Sequence, residues 1–136
     1  MRGRKLLLQS MSALLAAGAL TSCHVNDATA PLAPCTAPLT GVTVQFRSGE
    51  PTMFSWQPKC GLAGIVIETA GATAPGTDLW IVHDPDGHIA GPVSYGVTPA
   101  SATLVLAATP MVAGKDYRIQ FIGLNGLELY SAVFTQ

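Results

Sequence analysis

The chain has 136 residues, 49% of them hydrophobic and only 11% charged, with seven Lys and Arg against eight Asp and Glu. At this length about two thirds of the unfolded surface can be buried, enough for one core and too little for two. The even charge balance excludes a nucleic-acid binder, which needs clustered cations to displace counterions, and the 14 Gly and 10 Pro point to turns and short strands rather than helices.

Arg2, Arg4 and Lys5 precede an apolar stretch over residues 6–20, which closes on the small residues Thr21 and Ser22 before Cys23. Basic, apolar, then small is the order of a secretory signal peptide. The apolar part is interrupted by Gln9, Ser10 and Ser12 and falls short of the ~20 residues a spanning helix needs.

Leu20-Thr21-Ser22-Cys23 resembles the lipobox of bacterial lipoproteins. The resemblance implies that residues 1–22 are a lipoprotein signal peptide removed on export. It also implies that Cys23 is the lipid attachment site and that its acyl chains anchor the chain to the membrane of the cell envelope. His24, where an Asp would favour retention in the inner membrane, implies the outer membrane in a bacterium that has one. The competing reading is an ordinary signal peptide in which Cys23 only happens to lie near the cut. Cleavage there removes all three leading cations and leaves Arg47, Lys59, Lys115 and Arg118 against eight carboxylates. The mature chain is then mildly acidic, and the membrane contact is acyl rather than electrostatic.

Residues 23–39 carry Pro31, Pro34 and Pro38 among Ala and Thr, without apolar periodicity, and read as a linker. From residue 40 to 136 the apolar period is two. Val42, Val44 and Phe46 alternate with Thr43 and Gln45, the turn residues 48–51 follow, and Phe54 and Trp56 alternate with Ser55 and Gln57, which is the pattern of a hairpin. Five further β-prone runs lie at 65–67, 79–83, 103–106, 117–121 and 127–134, each bounded by Gly, Pro, Asp or Asn. Seven short strands in one domain predict an all-β fold, a single antiparallel β-sandwich.

With Cys23 lipidated, Cys35 and Cys60 remain and are free to form a disulfide in an exported protein. The expected hairpin register brings them to the same end of the sheet, where a bridge would staple the linker to the second strand. Two reduced, buried thiols are the alternative.

Phe54-Ser55-Trp56-Gln57-Pro58 resembles the second strand of fibronectin type III domains, with its buried Trp followed one residue later by Pro. Residues 111–117 are similar to the segment of that family ending in Gly-x-x-Tyr, with Ile119, Phe121 and Asn125 at the family's following positions. The resemblance implies that Tyr117 packs its ring into the core and returns its hydroxyl to the preceding corner. Met111, Ala113 and Lys115 depart from the pattern, and the interval from Trp56 to Tyr117 is longer than the family's, so extra loop or strand is expected there. A general Ig-like sandwich is the alternative.

Chemistry is sparse. Beyond His24, the His residues are His83 and His88, and no nucleophile elbow or paired-carboxylate motif accompanies them, so no enzyme activity and no cofactor are expected. Asp84-Pro85-Asp86-Gly87 fills the preferred places of a type I turn. A hairpin centred there would set His83 opposite His88. Two nitrogens with Asp84 or Asp86 are too few for a recognised metal motif, and no metal site is expected. Trp80, Tyr95 and Tyr130 are the aromatic side chains left free to bind a ligand. The expected function is a lipid-anchored, non-catalytic envelope module that contacts another envelope protein through loops or an edge strand. A carbohydrate-binding module built on those three aromatics and a structural spacer are the alternatives.

Overall fold

The computed structural model of the chain describes residues 31–74 and 76–136. The segment expected to be a signal peptide, the lipobox-like Leu20-Thr21-Ser22-Cys23 and the expected lipid site Cys23 lie outside the described residues. Eight strands form two antiparallel sheets. They are β1 (Gly41–Gln45), β2 (Met53–Gln57), β3 (Gly64–Thr69), β4 (Asp78–His83), β5 (Val93–Ser94), β6 (Thr103–Leu106), β7 (Asp116–Ile122) and β8 (Glu128–Thr135). One sheet has the order β1-β2-β5 and the other β6-β4-β3-β7-β8, giving the all-β sandwich that the period-two pattern predicts.

The hairpin forms as the alternation requires. Val42 lies opposite Trp56 and Val44 opposite Phe54, while the Glu50 amide donates to the Arg47 carbonyl at 3.1 Å across the turn. Phe54 and Trp56 are buried against Ile65, Ile67, Ile119 and Phe121 of the opposite sheet in one core cluster. Each fully buried side chain of this size stabilises the fold by about 1.5–3 kcal/mol. Tyr117 joins that core, and its hydroxyl oxygen accepts a 2.7 Å hydrogen bond from the Val112 amide. Its hydroxyl thus returns to the corner five residues upstream.

Two bulges direct side chains inward that simple alternation would turn out. On β4, Ile67 pairs with Trp80 and Glu68 with Asp78, so Leu79 has no partner and both Leu79 and Trp80 are buried. On β8, Phe121 pairs with Tyr130 and Ile122 with Glu128, which leaves Leu129 as the extra, buried residue.

Three features differ from the sequence-based expectation. Strand β5 is an eighth strand, only two residues long, in a stretch whose Gly and Pro mask it. The segment before Thr40 is not free linker throughout. The Cys35 amide donates to the Gly61 carbonyl at 2.8 Å, the Gly61 amide to the Ala33 carbonyl at 2.9 Å, and the Leu39 amide to the Leu129 carbonyl at 3.1 Å. Cys35 and Leu39 are buried in the core. Finally, residues 84–87 do not close a hairpin. The chain leaves β4 of the larger sheet and bridges Ile89 to Leu62 on its way to β5 of the smaller one. His83 stays in the sheet, between Gly64 and Thr103, so it does not face His88, and the two-histidine pairing is corrected.

The Cys35–Cys60 disulfide is formed, with its Cα atoms 5.0 Å apart. The hairpin register led to the right pair, although the local pairing is a parallel bridge between Pro34 and Gly61 rather than an extension of the antiparallel ladder. Across a sequence separation of 25, such a bridge contributes roughly 3 kcal/mol.

Candidate functional site

Two regions carry the polar and apolar features from which a site is built. The first is the turn after β4. Asp84 is 3% exposed, and its carboxylate accepts from the Asp86 amide at 2.9 Å and the His88 amide at 3.0 Å. Burial alone would push its pKa up. The two amides, a side-chain bond from Ser101 and the nearby His88 outweigh burial and hold it below the ordinary carboxylate value. Asp84, Asp86 and His88 bring one ligand atom each to within 4.8 Å of one another, and these are the described residues with metal-ligand character. His83 is not among them. Both Asp84 oxygens already bond to main-chain amides, so the carboxylate caps the turn, and a cation there would compete with that cap.

This turn is packed backbone to backbone against the disulfide. A Cβ on Gly61 would lie 2.1 Å from the Gly87 carbonyl oxygen, so only glycine allows the two segments to approach. The Trp56 indole N–H donates to the Cys60 carbonyl at 3.0 Å. A cleft of about 200 Å³ beside it is lined by Leu32, Trp56, Lys59, Cys60, Gly91 and Pro92. A second, more open cleft of about 390 Å³ lies at the other end of the sheet, with Thr77, Asp78, Thr109, Lys115 and Tyr117 on its wall.

The aromatic candidates do not form a shared platform. Trp80 is fully buried and meets Tyr95 edge to face at 5.5 Å. The Tyr95 hydroxyl donates to the Thr109 carbonyl at 2.5 Å. Burial, with the neighbouring Tyr117, pushes its pKa up to about 12. Tyr130 lies against Phe121, with ring centroids 6.1 Å apart. Trp56 and Tyr117 are buried as well, while Tyr95 and Tyr130 are half-buried and packed against the core, so the three candidates do not lie together as a flat stacking surface.

No protein-family model matches the chain, and no curated protein and no solved structure gives a significant match to it.

The second region was missed by motif reasoning and has no catalytic character. Strand β6 is the edge of the five-stranded sheet, and all four of its residues are exposed. Ile81 pairs with Leu106 and Val82 with Leu104, so Val105 is a bulge with no partner on β4. The bulge sends Leu104 to the inward side with the buried Val82 and Leu106 to the outward side with Ile81. Leu104 is nevertheless 45% exposed, because the smaller sheet ends at the two-residue β5 and does not reach over β6. Gly96 lies against Ala108, a Cβ built on it falling 3.3 Å from that side chain, which puts Val97 on the same flank. Four of the eight large apolar side chains exposed among the described residues are here, Val97, Leu104, Val105 and Leu106, while Val112 lines the second cleft beside Lys115 and Tyr117. The sequence carried one signal for this flank, since residues 89–114 contain no Asp, Glu, Lys, Arg or His.

Proposed function

We propose that the chain is a lipid-anchored, non-catalytic protein of the bacterial envelope whose fibronectin type III-like sandwich makes protein–protein contacts. The observation that carries the contact reading is the division of apolar surface. Of the candidate rings Trp80 is buried and Tyr95 and Tyr130 are half-buried against the core, while the exposed apolar side chains are mainly aliphatic and half of them lie on the β6 flank. Contiguous exposed apolar surface of this kind marks interaction sites. That division favours protein contact over carbohydrate binding. The anchor reading rests on the basic and apolar leader and on Leu20-Thr21-Ser22-Cys23, and the outer membrane on His24. The family reading draws support from the Tyr117 corner and the buried Trp56.

The anchor is tested by Cys23→Ser in the full chain. The substituted protein is expected in the soluble fraction after cell breakage, and undiminished membrane association overturns lipidation. The contact reading is tested by titrating envelope glycan fragments against the intrinsic tryptophan fluorescence. No shift is expected, and a saturable shift would assign the domain to carbohydrate instead.

A further inference from the structure

We infer that the β6 flank is the surface through which two copies of this chain associate, edge to edge, on the membrane. The inference rests on the protein-contact reading and names the partner.

Natural edge strands are shielded from other strands by charges, Pro, bulges or a covering segment. On β6 the only such device is the bulge at Val105. No charge lies on Thr103–Leu106, nor anywhere within residues 89–114, and nothing among the described residues covers its free edge. The bulge also divides the two leucines between the faces of the sheet. A strand laid alongside β6 therefore covers Leu104 on one side and Leu106 on the other. On the outward face Val66 lies opposite Ile81, and Ile81 opposite Leu106. This aliphatic row crosses three adjacent strands and stops at the edge, where only another strand continues it.

Charge selects a second copy as the occupant. The described residues hold four Lys and Arg against seven Asp and Glu, so two copies repel across most approaches. Strand β6 itself carries no charged side chain, and the titratable groups placed nearest to it are at its Thr103 end, where His83 lies opposite Thr103 and the buried Asp84 accepts from Ser101. Two copies that meet along Leu104, Val105 and Leu106 therefore set no Lys, Arg, Asp or Glu of either strand against its like. The segment Thr-Leu-Val-Leu run antiparallel against itself sets Leu104 opposite Val105 of the other copy, so the patch is self-complementary, as a two-fold contact requires. The paired stretch is short and the association correspondingly weak, favoured where acyl anchors hold copies in one plane.

The test uses the full lipidated chain in its own membranes, carrying Val105→Cys or, on the opposite edge at the exposed Ser131 of β8, Ser131→Cys. A short bis-maleimide is expected to give a species of twice the chain's mass from Val105→Cys and at least tenfold less from Ser131→Cys. Adding Leu106→Lys to Val105→Cys should lower that yield at least tenfold. Sedimentation of the unsubstituted chain in detergent, showing dimer that dissociates on dilution, gives the same answer without a substitution. Equal yields at both edges, or a monomer at all concentrations, overturn the inference. A Val105→Cys product with the mass of a different protein overturns self-association and leaves the contact reading standing. No product with any protein overturns both.

Discussion

The two flanks of the sandwich are built by opposite means. Around Cys35, Gly61 and Asp84, separate segments are locked by a disulfide, a parallel bridge, a glycine contact and a carboxylate whose two oxygens each hold a main-chain amide. Around β6, the sheet ends on an edge whose side chains are all exposed and uncharged. The first flank receives the chain from its amino-terminal side and fixes it, so a pull on an anchor would reach the sandwich through Cys35 rather than by peeling β1. The second leaves the apolar side chains of β6 available. Local stability and contact surface are thus separated in space, and substitutions should report on them separately.

The largest effect is expected from removing the covalent tie. Cys35→Ala with Cys60→Ala should lower the free energy of unfolding by roughly 3 kcal/mol, read as a lower urea midpoint with unchanged slope. Protease cleavage should then appear first within residues 31–39. A double variant as stable as the parent would mean that the parallel bridge and Leu39 hold this segment by themselves. Next comes Gly61→Ala. Its Cβ would collide with the backbone at Gly87 rather than with a side chain that can move aside, and a cost of about 2 kcal/mol in the same denaturation measurement is expected.

Asp84 sharpens the contrast through pH. Its folded pKa lies below the ordinary carboxylate value, so its contribution is present at neutral pH, above the unfolded pKa. That contribution is lost as pH falls through the folded value. Asp84→Asn should therefore destabilise at pH 7 by about 1 kcal/mol, since the amide has one acceptor oxygen where the carboxylate has two. It should also flatten the acid limb of thermal midpoint against pH. An acid limb identical in parent and variant would show that the cap does not titrate in that window.

Much of this was legible in the residues, where one element sufficed to interpret itself. The β1–β2 hairpin followed from alternation around a turn. The Tyr117 corner was what the resemblance of residues 111–117 to fibronectin type III domains implied, and the disulfide followed from the register that the hairpin imposes. What escaped depends on partners distant in sequence. Residues 33–39 have the composition of a linker and are ordered by Gly61 and Leu129. Asp84-Pro85-Asp86-Gly87 specifies a turn but not whether the following strand returns beside β4 or crosses to the other sheet, and it crosses. Strict alternation cannot place both Leu79 and Trp80 inward, and a bulge does. The exposure of β6 follows from a five-strand sheet facing a three-strand sheet, an asymmetry that no run of residues announces.

The smallest stability effect belongs to the flank proposed for association. Val105 is 60% exposed and sits at a bulge without a partner on β4, so Val105→Lys removes almost no buried surface and interrupts no ladder pairing with that strand. A change within about 0.5 kcal/mol is expected, measured by denaturation of dilute chain, where copies are apart. The same substitution places a like charge at the centre of the self-complementary edge and shields it as natural edges are shielded. Dimer should therefore be lost at concentrations where the parent associates. A variant that is as stable as the parent and fails to associate assigns β6 to contact alone. One that unfolds more readily would show that the edge also holds the sandwich together, and the separation of the two flanks would fail at the strand on which it depends.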